Sequence, residues 1–64
     1  MSRNLLSQRE LAEFLNKPER TLEAWRLRRE GPAFIRLGRS IRYRLQDVEA
    51  WLERNRVQTE PERQ

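Results

Sequence analysis

The sequence predicts a single, mostly α-helical domain carrying one small β-hairpin, in the order helix, helix, hairpin, helix. Three features predict it. Apolar residues recur at i, i+3, i+4 in stretches towards both ends of the chain. Proline and glycine punctuate the middle, leaving only a short gap between the first two helices. Around Gly38 the pattern changes to an alternation of period two, the mark of paired strands.

The first helix is expected over Gln8–Leu15. Ser7 and Glu10 have capping-box spacing, and Leu6 and Leu11 stand where a hydrophobic staple would place them. Leu11, Phe14 and Leu15 form one apolar face, and Asn16, tolerant of a left-handed backbone, ends the helix. Pro18 opens the second helix, where a missing N–H costs nothing, and Glu19 suits the first-turn dipole. Leu22 and Trp25 set its inward face, with the stem of Arg29 behind them. Gly31-Pro32 stops it, giving an expected span of 18–29. Two helices this close in sequence have the length of the turn in a helix-turn-helix unit.

Residues 33–37 and 41–44 then flank the turn Gly38-Arg39-Ser40 as a hairpin. Ile41 and Tyr43 alternate with Arg42 and Arg44, which predicts one apolar and one basic face. The last helix begins at Gln46-Asp47 and presents Val48, Trp51 and Leu52 to the interior. The expected core is Leu6, Leu11, Phe14, Leu15, Leu22, Trp25, Ile35, Leu37, Ile41, Tyr43, Val48, Trp51 and Leu52. The domain should occupy residues 5–55. Residues 56–64 have almost nothing to bury and are expected to be a disordered tail.

Length and composition narrow the chemistry. The chain has 64 residues, one domain's worth, and a chain so short buries only about 60% of its unfolded surface. It contains no cysteine and no histidine. Disulfides, thiolate metal sites and imidazole bases are therefore absent. No metal site, cofactor or catalytic residue is expected, and so no enzyme. No apolar run approaches the ~20 residues that span a bilayer, and the start is too short in apolar residues for a secretory signal. No membrane association is expected, and the expected location is the cytoplasm.

Charge points to a polyanion. The net charge is +4, and thirteen of the fourteen basic residues are arginine. Residues 20–44 hold eight arginines against Glu23 and Glu30, a local +6, leaving −2 for the remainder. A basic middle between near-neutral ends is the footprint of a nucleic-acid binder, although an Arg-rich solvated surface has the same composition.

Two surfaces carry that function. With Leu22 and Trp25 inward, Arg20, Glu23, Ala24 and Leu27 project outward at 100° per residue, flanked by Glu19 and Thr21. Arginine can hydrogen-bond guanine O6 and N7, glutamate can accept from cytosine N4, and Ala24 could meet a thymine methyl. An ordinary amphipathic helix of mixed charge would show the same face. The second surface is the hairpin, where Arg36, Arg39 and Arg42 lie on or beside a tip containing Gly38 and Ser40. Narrow minor grooves attract inserted arginine, and Gly38 lets the backbone approach a phosphate. Charges guarding an exposed strand are the alternative, but lysine is the residue most associated with that duty and the hairpin has none. The two tryptophans could stack single-stranded bases; their helical spacing with Leu22, Val48 and Leu52 assigns them to the core.

Beyond these features, the chain resembles the excisionase-like, MerR-type winged helix-turn-helix domains. The resemblance rests on Leu5-Leu6-Ser7, on Glu10-Leu11-Ala12-Glu13-Phe14-Leu15 and on Pro18-Glu-Arg-Thr21-Leu-Glu-Ala-Trp25. It continues through Gly31-Pro32, Ile35-Arg-Leu-Gly38-Arg and Arg42-Tyr-Arg-Leu-Gln-Asp-Val-Glu-Ala-Trp51-Leu, covering residues 5–52. It implies a winged helix-turn-helix fold whose second helix reads the major groove, so Glu19, Arg20, Thr21 and Glu23 inherit base contacts. Gly38-Arg39-Ser40 becomes the wing, so Arg39 inherits a minor-groove or phosphate contact; Arg28, Arg36 and Arg42, from the basic segment itself, are expected beside it as wing and backbone contacts. Stand-alone members of this size are typically phage excisionases, which bind tandem sites cooperatively, bend DNA and direct an integrase towards excision. The implied partners are double-stranded DNA, further copies of the chain on adjacent sites, and a phage integrase, in a bacterial cell at the nucleoid. A small prophage-type transcriptional regulator on the same fold remains open, as does a protein-interaction adaptor or anti-repressor, which would show no salt-dependent DNA binding. A wing-plus-helix layout suits a wide major groove, which A-form RNA lacks.

Overall fold

A computed structural model of the chain describes residues 4–59. It has three helices and one three-stranded antiparallel sheet, a winged helix-turn-helix architecture. Strand β1 (Leu5–Ser7) leads directly into α1 (Gln8–Leu15); α2 (Glu19–Leu27), β2 (Ile35–Leu37), β3 (Ser40–Arg44) and α3 (Leu45–Arg54) follow.

Ser7 ends one element and starts the next. Its Oγ accepts from the Glu10 N–H at 3.1 Å, while Glu10 Oε1 accepts from the Ser7 N–H at 2.8 Å, completing the expected capping box. Asn16 closes α1 in the left-handed region, at φ 58°, as its short polar side chain allows. Pro18 is extended and sits at the N-cap of α2, one position before the helix. That helix is shorter than expected, ending at Leu27. Arg29 lies beyond it at φ 60°, exposed, with its stem on no inward face. The last helix starts one residue early, at Leu45.

The strand β1 was not expected. Three residues are too few to display a period, and the pairing partners Leu5↔Arg44, Leu6↔Tyr43 and Ser7↔Arg42 are far away in sequence. β3 is consequently central, in the order β1-β3-β2. The Leu45 N–H, donating to the Asn4 carbonyl at 2.7 Å, extends the β1–β3 ladder into the start of α3.

Leu11, Leu22, Tyr43 and Val48 are fully buried, and Ala12 is nearly so. Leu6, Leu15, Trp25, Phe34 and Ile41 pack around them. At about 1.5–3 kcal/mol for each fully buried large side chain, so small a core leaves caps and polar contacts a real share of the stability.

Four expected core residues stand elsewhere. Phe14 and Leu37 are more than half exposed, at 58% and 53%, and Leu52 is exposed at 38%. Ile35 is half-buried, but the register places it opposite Arg42, away from the face shared by Ile41 and Tyr43. Opposed residues of an antiparallel pair share a face. Leu6, Tyr43, Ile41 and Arg36 therefore lie on one face, and Leu5, Arg44, Arg42 and Ile35 on the other. Both faces mix apolar and basic residues, unlike the clean division expected. Trp25 and Trp51 are half-buried and pack on each other, with centroids 5.2 Å apart and planes tilted by 51°, a favourable aromatic geometry.

Of the expected tail, residues 56–59 are exposed and carry no helix or strand, and 60–64 lie outside the described residues. Among the described residues no helix is long and apolar enough to cross a membrane.

Candidate nucleic-acid interface

Leu22 is buried beneath the centre of α2 and sets the helix rotation. Glu19, Arg20, Glu23 and Leu27 are exposed, Leu27 at 86%, whereas Thr21 and Ala24 are half-buried. The outward face therefore carries Arg20, Glu23 and Leu27, with Glu19 beside them at the first turn and Ala24 set lower. Arg28 caps the helix C-terminus and pairs with Glu30 at 3.4 Å, an exposed contact of small energetic weight.

The wing is the β2–β3 hairpin. Leu37 pairs with Ser40, so the loop is only Gly38-Arg39, and Ser40 belongs to the strand rather than the turn. Gly38 has φ +62°, and a Cβ there would meet nothing within 4 Å. Glycine is needed for the backbone conformation and not for space, as in a two-residue hairpin loop led by glycine.

The arginines of the basic segment divide by their partners. Arg42 is half-buried and donates to the Ile41 carbonyl at 2.9 Å. Arg44 pairs with Asp47 at 3.4 Å. Arg36 lies over the Phe34 ring, 5.6 Å from its centroid. Arg20 and Arg39 are both exposed, and neither side chain has a hydrogen bond, ion pair or ring contact among the described residues. One lies on the outward face of α2 and the other at the wing tip.

Helix and wing are tied together by a residue outside the sequence-derived site, Arg26. Its Nη1 donates to Tyr43 Oη at 2.9 Å and to Gln8 Oε1 at 2.7 Å. Its guanidinium also lies 5.7 Å from the Phe34 centroid, so Arg26 of α2 and Arg36 of β2 meet the same ring. Phe34 in turn packs on Tyr43, with centroids 6.2 Å apart. Two signals in the sequence could have found Arg26. It follows Leu22 by four residues, hence on the inward side of α2, and an inward Tyr43 needs a partner for its hydroxyl. Gln8 carried no comparable signal, because its position as the first residue of α1 gives no hint of what faces it.

Gln8 joins the base of α1 to α2. Its Nε2 donates to Glu19 Oε1 at 2.8 Å and to Glu23 Oε2 at 3.1 Å. Two of the expected base-contacting residues are therefore bridged by one side chain at the start of α1.

No curated protein matches the chain. The family model described as a helix-turn-helix domain matches residues 5–56, a span that includes α1, the Asn16–Pro18 turn, α2, the wing and α3. With that match and this architecture, the chain belongs to the helix-turn-helix domain family of sequence-specific DNA-binding modules.

Proposed function

We propose that this chain is an excisionase, a recombination directionality factor that binds tandem DNA sites cooperatively, bends the duplex and directs a phage integrase towards excision. In this reading α2 enters the major groove, where Glu19, Arg20, Thr21, Glu23 and Ala24 face base edges. Arg39 reaches a phosphate or the adjacent minor groove from the wing, supported by Gly38, Ser40, Arg36 and Arg42, with Arg28 on the backbone. The supporting observation is the state of Arg20 and Arg39: two exposed arginines without partners, on a helix and a wing that meet at Phe34. Arginine suits this role because its planar fork matches guanine edges and phosphates.

The tandem-site part of the reading follows from size. A single module of this kind buries about 600–1,000 Å² of protein surface on DNA, which limits what one copy achieves. Neighbouring copies on adjacent sites raise the effective concentration of each other. If about five arginines neutralise phosphates, the log–log salt slope is about −4.5.

Gel-shift titration on one site and on tandem copies tests the cooperative part, and in vitro excision with the phage integrase tests the role. Tighter binding per site on the tandem duplex and stimulated excision are the expected results. Equal affinity per site, together with no effect on excision, would leave a DNA-binding domain without this function.

A further inference from the structure

We propose that Gln8, the first residue of α1, is a positioning residue that sets base discrimination by holding the Glu19 and Glu23 carboxylates as a fixed pair. The inference rests on the reading in which the start of α2 contacts bases.

Glu19 and Glu23 are an i, i+4 pair on one side of α2, where two like charges ordinarily destabilise a helix and repel one another. A single amide lies between them. Gln8 Nε2 reaches Glu19 Oε1 at 2.8 Å and Glu23 Oε2 at 3.1 Å, using the two hydrogens of one NH2 group. The second oxygen of each carboxylate has no hydrogen bond among the described residues. Each acid therefore keeps an acceptor for a base edge while its side chain is held by the other oxygen.

The orientation of that amide follows from the chemistry of its neighbours. Arg26 can only donate, and the carboxylates can only accept. Only the arrangement with Oε1 towards Arg26 and Nε2 towards the acids satisfies all three. Arg26 is itself anchored, because its Nη1 also donates to Tyr43 Oη at 2.9 Å and Tyr43 is fully buried. The chain of contacts thus runs from the buried β3 tyrosine through Arg26 and Gln8 to two exposed acids on α2. Long acidic side chains that are already ordered lose less rotamer freedom when they meet a base, and an ordered carboxylate rejects a wrong base more sharply than a mobile one.

The test uses the full chain and a randomised duplex pool, with bound sequences read after selection. The variants are Gln8→Met, Glu19→Ala and Glu23→Ala. Gln8→Met keeps the volume and removes all three hydrogen bonds of the amide, the two to Glu19 and Glu23 and the one accepted from Arg26, leaving Arg26 its contact with Tyr43. We expect it to weaken base preference by about tenfold at the positions that Glu19→Ala and Glu23→Ala alter. Affinity for the unselected pool should stay within about twofold, since no phosphate-neutralising charge changes. A purely structural role for Gln8 would instead lower the melting temperature and weaken binding to every sequence alike, which would overturn the proposal. An unchanged preference in Gln8→Met, with altered preferences in the two glutamate variants, overturns it while leaving the reading of α2 intact. Unchanged preferences in all three overturn both. Should Gln8→Met fold poorly, Gln8→Glu retains an acceptor for Arg26, places a third carboxylate beside the other two, and must show the same loss of preference.

Discussion

Gly31 offers the sharpest check on how the end of α2 packs. It has φ +84°, a region that L side chains rarely adopt, and a Cβ built there would lie 2.8 Å from Trp25 Cε3. Two further atoms of Trp25, Cβ and Cδ2, would be at 3.2 and 3.3 Å. These atoms belong to one rigid side chain that is itself packed against Trp51, so the neighbour has little room to yield. Gly38 is the natural control, because its φ is +62° but nothing lies within 4 Å. The left-handed backbone costs an alanine about 1–2 kcal/mol at either position. Overpacking against Trp25 adds about 1–3 kcal/mol at Gly31 alone. Gly31→Ala should therefore lose about 2–5 kcal/mol and Gly38→Ala about 1–2 kcal/mol. A 64-residue domain at about 0.05–0.15 kcal/mol per residue has only about 3–10 kcal/mol in total. At about 4–8 °C per kcal/mol, Gly31→Ala should melt at least about 8 °C below the parent chain, and clearly below Gly38→Ala. Thermal melts by far-UV circular dichroism in one buffer measure both. Equal shifts for the two variants would refute the Trp25 contact as the reason glycine stands at Gly31.

Ser7→Ala removes the oxygen that accepts from the Glu10 N–H and should cost about 1 kcal/mol, read as a melting shift of about 4–8 °C. Arg29→Gly should be stabilising by up to about 1 kcal/mol, because it relieves a left-handed non-glycine residue at φ 60° at a small entropic cost; a lower melting temperature would mean that the arginine side chain contributes more than its backbone costs. On DNA, Arg39→Ala should weaken binding to every sequence and reduce the salt slope by about 0.9. Arg20→Ala should cost about 1–3 kcal/mol on the preferred sequence and relax discrimination at one base pair. Titration of both variants on specific and scrambled duplexes at several salt concentrations separates the two behaviours, and parent-like binding by both would remove the assigned surfaces.

Features with a local determinant were legible in the sequence. The Ser7/Glu10 box, the Asn16 turn, the bounds of α1 and the glycine-led wing all depend on residues within a few positions of one another. Helical spacing likewise identified Leu11, Leu22 and Val48 as interior. It failed for Phe14 and Leu52, which satisfy the same spacing but are exposed at 58% and 38%: helical period says which residues share a face, and not how far the neighbouring elements cover it. It failed for Ile35 and Leu37 because a hairpin's period of two says which residues share a face, and not which face meets the helices.

Some properties were settled by the sequence alone: three helices, a short turn between the first two, a basic middle segment, and the absence of cysteine and histidine. Others needed the folded chain. The pairing of Leu5–Ser7 with β3, the burial of Tyr43, and the bridge from Tyr43 through Arg26 and Gln8 to Glu19 and Glu23 all join residues more than ten positions apart. Backbone caps and turns are decided by neighbours along the chain, whereas a hydrogen bond between side chains on different elements exists only once packing has brought them together. That is why the partners of the arginines, and with them which arginines have none among the described residues, could be read only in three dimensions.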